Sequence, residues 1–177
     1  MSDKPILESY WVLPGNFLAG AYPISSLDGT LARQCLAAFM ETGINNFFDL
    51  TREGELPSYL PILQEEAAHY GIPIQYRRMT IQDKGLPAHE KMAELLDNLD
   101  AALAAGNKIY LHCWGGIGRT GTAVGCWLVR HGLTGGQALI RLNELYQTCG
   151  QSHSFPKSPE TDAQVNFILG WQEDGMA

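Results

Sequence analysis

One block of this chain dictates its local architecture and much of its chemistry. His112-Cys113-Trp114-Gly115-Gly116-Ile117-Gly118-Arg119-Thr120-Gly121 follows the apolar run Lys108-Ile109-Tyr110-Leu111, which reads as a short buried strand. It leads into the stretch from Thr122 to Val129, which reads as a buried helix. A glycine-rich turn between strand and helix points successive backbone N–H groups into one concavity, and the helix start adds the positive end of its dipole. Such a cup suits a tetrahedral dianion. No Gly-Lys-Ser/Thr closes it, so it is not a Walker A loop. Its floor holds Cys113, with Arg119 six positions on. The N–H donors and the guanidinium both favour a thiolate, which is a nucleophile. Arg119 offers a planar fork for two oxygens of the dianion. Gly115, Gly116 and Gly118 permit backbone angles and close approach that a β-carbon would hinder. Thr120 is able to donate a hydrogen bond to the sulfur, and His112 to order the loop through its ring nitrogens. The plainer alternative is a buried cysteine in the turn of an ordinary α/β domain.

The chain has 177 residues, 45% of them hydrophobic, so one domain spanning residues 1–177 with a substantial core is expected. Met1-Ser2-Asp3-Lys4-Pro5 lacks a basic region followed by an apolar core, so no secretory leader is expected there. No apolar run reaches membrane-spanning length, and no membrane association is expected. Cys35, Cys113, Cys126 and Cys149 show neither CxxC pairing nor metal-ligand spacing with histidine. No metal is expected, and a reducing cytoplasmic compartment fits. A formal net charge of −7 argues against broad nucleic-acid binding, so positive potential for an anion has to be built locally.

In chain order, Tyr10 to Leu13 and Phe17 to Tyr22 read as two strands around Pro14-Gly15-Asn16. Asp28 to Thr42 reads as an amphipathic helix with Leu31, Cys35, Phe39 and Met40 on its buried face, stopped by Gly43. Ile44 to Leu50 is a strand, Pro57 opens a helix that runs to Tyr70, and Ile74 to Met79 is a further strand. Adjacent Arg77 and Arg78 then face opposite sides. Pro87 to Ala105 is a helix burying Met92, Leu95, Leu96, Leu99 and Leu103. Beyond the glycine-rich block, Leu133 and Thr134 start an amphipathic helix through Tyr146. Cys149 to Lys157 is a polar loop, and Ser158 caps a last helix with Pro159 in its first position.

The block from His112 to Gly121 resembles the signature loop of the cysteine-dependent protein tyrosine phosphatases, His-Cys-x5-Arg-Ser/Thr. Its Gly-x-Gly-Arg-Thr-Gly form is most like the dual-specificity members. Gly20-Ala21-Tyr22-Pro23 resembles the end of their opening hairpin. The resemblance implies a mostly parallel sheet of about five strands flanked by about six helices. It also implies a cofactor-free hydrolysis of phosphate monoesters through a cysteinyl-phosphate, with Cys113 as nucleophile. Arg119 and the loop residues Trp114, Gly115, Gly116, Ile117 and Gly118 then bind phosphate, and Thr120 assists the departing sulfur. The family takes its proton donor from an aspartate on a separate loop about thirty residues before the cysteine. Asp83, in Asp83-Lys84-Gly85-Leu86-Pro87, sits at that separation. Its alternative reading is a turn or cap residue. Arg52 reads as a substrate contact or as a solvated loop charge. Glu160 to Phe167 resembles the segment that carries a water-positioning glutamine in tyrosine-specific members. Only Gln164 matches there, the first position being Glu160.

Phosphoinositide-directed relatives carry lysines in the loop, and none stands here, so a singly phosphorylated group is expected. Trp114 is suited to stacking on an aryl phosphate, which favours a phosphotyrosine-bearing protein as substrate, handled by a monomer. The rival readings are a phosphatase for a small molecule, nucleotide or RNA 5′ end, and a phosphoprotein-binding module without catalysis. Thiol redox chemistry is a third, opposed by the position of Cys126 on the following helix.

Overall fold

In a computed structural model, which describes residues 4–24 and 28–173, the chain builds one five-stranded sheet with helices on both faces. The opening residues read for a leader therefore lie partly outside the described residues. The strands are β1 (Ser9–Leu13), β2 (Phe17–Gly20), β3 (Asn46–Asp49), β4 (Gln75–Arg78) and β5 (Ile109–His112). The helices are α1 (Gly29–Glu41), α2 (Leu60–Tyr70), α3 (His89–Ala104), α4 (Gly118–Arg130), α5 (Gly135–Tyr146) and α6 (Asp162–Leu169). Strand order is β1-β2-β5-β3-β4, with β1 antiparallel to β2 and every other pairing parallel. Among the described residues no helix is long and apolar enough to cross a membrane.

The central strand β5 shows why its neighbours read as apolar runs. Parallel strands joined by helical crossovers are covered on both faces, and alternate side chains enter alternate layers. Ile109 and Leu111 pack with Phe17, Ala19 and Phe48 under α3, α4 and α5. Tyr110 packs on the opposite side with Leu18, Phe47 and Phe39. Because β2, β5, β3 and β4 run the same way, the loops leaving β5, β3 and β4 emerge together at one edge. That edge, the carboxyl end of a parallel sheet, is where α/β folds place their sites.

Several boundaries differ from the sequence expectations, each for a local reason. In α1 the buried stripe is Ala32, Leu36, Phe39 and Met40. Leu31 is exposed and Cys35 half-buried, because α1 is rotated one position from the face that periodicity selected. Helix α2 opens at Leu60, three residues after Pro57, and α3 opens at His89 with Ala88 as its cap, leaving Pro87 outside. Ala102 takes the buried position assigned to Leu103, which packs at the margin of the core. The last helix is capped by Thr161, whose hydroxyl accepts the Gln164 N–H at 3.2 Å. Ser158 instead donates its hydroxyl to the Ile117 carbonyl at 2.8 Å, which ties this segment to the glycine-rich loop. The polar loop after Cys149 includes a short 3-10 turn, Gly150–His153.

Candidate active site

Cys113 to Ile117 form a tight loop between β5 and α4. Cys113 is 3% exposed, and its sulfur accepts the Gly116 N–H at 3.3 Å. Gly116 has a φ of 72°, and a β-carbon there would overlap the backbone of Gly20 and Ala21. Only glycine meets both demands. On the hairpin side, the Tyr22 N–H donates to the Trp114 carbonyl at 2.8 Å, so the end of the opening hairpin holds the loop's outer wall. The Trp114 ring itself is 58% exposed.

His112 is bonded through both ring nitrogens. Its Nδ1 lies 3.2 Å from the Cys113 carbonyl and its Nε2 lies 2.7 Å from the Tyr59 hydroxyl. Burial pushes the imidazole pKa down, against the opposing pull of Asp49, so the ring is neutral. A carbonyl only accepts, so Nδ1 carries the proton and Nε2 accepts from Tyr59.

Arg119 is the second residue of α4, and its side chain is 1% exposed. Its guanidinium donates to both carboxylate oxygens of Glu55, at 2.9 and 2.7 Å, and to the Ile81 carbonyl at 3.1 Å. Asp83 stands 3.1 Å from the same guanidinium, with its side chain 47% exposed. The Arg119 hydrogen bonds hold the Glu55 carboxyl below the usual glutamate range, against its partial burial. The structure thus brings together Cys113, Arg119 and Asp83, with Glu55 as an addition that sequence reasoning missed. A signal for it existed. A buried arginine requires counter-charges, and the loop after β3 must face the loop after β5 because the two strands are neighbours. Glu53 and Glu55 were the available acids there.

Arg52 is exposed, with its backbone N–H on Glu55 at 3.0 Å. Arg78 pairs with buried Asp49 at 3.2 Å, while Arg77 bonds Asn98 on α3, so the two arginines do face apart. Asp49 also accepts from the Thr51 and Tyr76 hydroxyls at 2.6 and 2.7 Å, which anchors the start of the β3 loop.

Thr120 lies inside the first turn of α4, and its buried hydroxyl has no hydrogen-bond partner among the described residues. No hydrogen bond from it to the Cys113 sulfur is formed in this structure. Gln164 is fully buried beside the site. Its Oε1 accepts the N–H groups of Glu160 and Thr161, both at 3.1 Å, and its Nε2 donates to the Gly85 carbonyl at 3.3 Å. Both ends of the carboxamide are engaged with the chain. Chemically, the assembly offers a sulfur nucleophile, an anion cup and a carboxyl group beside it.

Comparison with known proteins bears on the family and the fold. The family model described as "Polymorphic toxin system, DSP-PTPase phosphatase" matches residues 27–133. The mouse (Mus musculus) protein tyrosine phosphatase domain-containing protein 1 is 30% identical over 140 residues, covering 75% of this chain and 18% of that protein. Pig (Sus scrofa) cyclin-dependent kinase inhibitor 3 is 32% identical over 88 residues, covering 49% of this chain and 41% of that protein. This chain thus spans well under half the length of these relatives. Among solved structures, Tk-PTP in its active form superposes with a TM-score of 0.67 at 21% identity, over 92% of this chain and 95% of that one. TpbA of P. aeruginosa superposes with a TM-score of 0.68 at 15% identity, over 97% and 89%. At these identities the superpositions establish the fold.

Proposed function

Because this chain belongs to the dual-specificity-type protein tyrosine phosphatases, a family of cysteine-dependent phosphatases, we propose that it hydrolyses phosphate monoesters at the site built on Cys113. In the first step the Cys113 thiolate attacks phosphorus in line. The sulfur–phosphorus bond forms, the ester bond breaks, and Asp83 gives its proton to the leaving oxygen. The loop N–H groups and Arg119 stabilise the three equatorial oxygens. In the second step water attacks the cysteinyl-phosphate, Asp83 takes the water's proton, and the thiolate leaves. Thr120, in this reading, turns its unpartnered hydroxyl toward the departing sulfur.

One observation carries the proposal. Two loops far apart in sequence bring Asp83 within 3.1 Å of the arginine that shares the Cys113 loop. A module that only binds phosphate has no use for a nucleophile and a proton donor at one cup. The exposed Trp114 ring beside the cup supports an aryl phosphate, and hence a phosphotyrosine-bearing protein, as substrate. We place that activity in one domain over residues 1–177, acting as a cytoplasmic monomer without metal or organic cofactor.

The test is release of p-nitrophenol from its phosphate ester across pH, with chelator present, for wild type, Cys113→Ser and Asp83→Asn. Wild type is expected to give a bell-shaped profile, Cys113→Ser no turnover with retained vanadate binding, and Asp83→Asn a profile without its basic limb. Near-normal turnover by Cys113→Ser would overturn the nucleophile. An unchanged profile in Asp83→Asn would move the proton donor elsewhere.

A further inference from the structure

We infer that Gln164 is a positioning residue for the proton donor, latching the Asp83 loop over the signature loop rather than handling the hydrolytic water. The inference rests on the reading of Asp83 as the acid.

Beyond the Ile81 carbonyl, which accepts from Arg119 at 3.1 Å, the loop from Met79 to Ala88 meets the rest of the site at three successive residues. Asp83 reaches Arg119 at 3.1 Å, Lys84 reaches the Glu160 carboxylate at 3.4 Å, and the Gly85 carbonyl accepts from Gln164 at 3.3 Å. The last two partners lie on the same short segment that opens α6. The orientation of the Gln164 amide is determined by its neighbours. Two backbone N–H groups face one end, which must be the oxygen, so the NH2 end faces Gly85. The side chain is fully buried and abuts the first residue of α4, where a β-carbon on Gly118 would sit 3.0 Å from the amide. Gln164 is thus wedged between the helix that carries Arg119 and the loop that carries Asp83.

The backbone between the acid and the latch is turned the hard way. Lys84 has a φ of 56°, the one positive value on a non-glycine among the described residues. Such a conformation persists where flanking contacts over-determine it. Here they do: Asp83 is held on one side, Gly85 on the other, and the Lys84 side chain by Glu160. Gly85 is two residues from Asp83 and closes the turn through its own N–H on the Gln82 carbonyl at 2.9 Å, so the bond from Gln164 to its carbonyl pins that turn against the site. A water-positioning glutamine would need one end of its amide free toward the phosphorus, whereas here the oxygen is taken twice and the nitrogen faces the acid loop.

The experiment separates the two roles by leaving-group chemistry. A proton donor matters most for a poor leaving group, whereas the water step follows loss of the leaving group and is common to all esters. Specificity constants are measured on aryl phosphates from difluoromethylumbelliferyl phosphate, with an acidic leaving phenol, to phenyl phosphate. The variants are Gln164→Glu, Glu160→Gln and Asp83→Asn. Gln164→Glu keeps an oxygen for the N–H groups of Glu160 and Thr161 and deletes the donor to Gly85. It is expected to lose about 10-fold or more on phenyl phosphate and under about 3-fold on the fluorinated ester, a fraction of the roughly 100-fold or larger effect of a full proton donor. Exposed Glu160→Gln, which removes only the Lys84 ion pair, is expected to shift the same way by less, and keeps the test open if Gln164→Glu does not fold. Unchanged specificity constants, with kcat measured alongside them lowered uniformly across the series and a burst of phenol before phosphate release, would overturn the latch in favour of water positioning. No loss in either variant would overturn it as well. If Asp83→Asn leaves the leaving-group dependence unchanged, or wild type cleaves none of the esters, the reading of the site falls and the latch falls with it. If Asp83→Asn steepens the dependence and Gln164→Glu does not, the latch alone falls.

Discussion

Among the described residues the Arg119 guanidinium makes four polar contacts: two with Glu55 and one each with the Ile81 carbonyl and Asp83. The Glu55 pair is the planar, two-pronged kind that orients a guanidinium as well as neutralising it. Glu55 therefore sets the plane in which Arg119 meets a phosphate. Its side chain is 9% exposed, so removing it strands a buried cation. Glu55→Ala is expected to lower stability by roughly 3 kcal/mol, the low end for breaking a buried pair, since Ile81 and Asp83 remain as partners. Urea unfolding measures that loss, and the specificity constant on p-nitrophenyl phosphate is expected to fall at the same time. Unchanged values in both would mean that Glu55 merely accompanies the arginine. Cys126 belongs to the same scale. Burial pushes its thiol pKa well up, which makes it inert beside the loop thiol and fits its place in the core.

At the level of elements, the loop between β5 and α4 is held from three directions. The end of β2 meets it through Gly20, Ala21 and Tyr22, the segment before α6 through Ser158, and α2 through the Tyr59–His112 hydrogen bond. Gly116 is where the first of these contacts is closest. Gly116→Ala is expected to cost at least about 1 kcal/mol from the left-handed backbone alone. The overlap with β2 adds to that, and activity is expected to be lost even where the variant still folds. Circular dichroism melts and turnover measured together check this, and an alanine variant with normal activity would show that the loop has room to shift. Much of this arrangement was legible beforehand. The strand–turn–helix order, the hairpin and the helix lengths follow from runs and breakers a few residues apart. What misled was fine position. Leu31 lost its buried place because α1 packs on α2 one position away from its own best apolar stripe, and Ser158 was drawn off its predicted cap by the Ile117 carbonyl.

For the whole molecule, the buried and paired ionisable groups make stability depend on pH in a definite direction. Burial lowers the pKa of His112, so as pH falls the unfolded chain takes up a proton that the native state resists. Stability is therefore full above the ordinary histidine range and declines as pH drops below about 6.5. Glu55, held down by Arg119, and Glu173, held down by Arg130, add a second decline in the carboxylate range, where the unfolded chain protonates first. Urea midpoints between about pH 8 and 5 are expected to fall, with His112→Asn losing the slope in that window. A flat wild-type curve would sink the neutral assignment of His112. The chain by itself determined the chemistry of the loop, because Cys113, its amides and Arg119 lie within one turn and its helix start, where neighbouring residues dictate geometry. It also determined the layers, since runs covered on both faces and amphipathic helices have few ways to pack. Only the tertiary structure decided who partners the loop. Glu55 meets Arg119 across 64 residues and Gln164 meets Gly85 across 79. Such meetings depend on strand order and on which loops share an edge, and no local pattern of residue types encodes either.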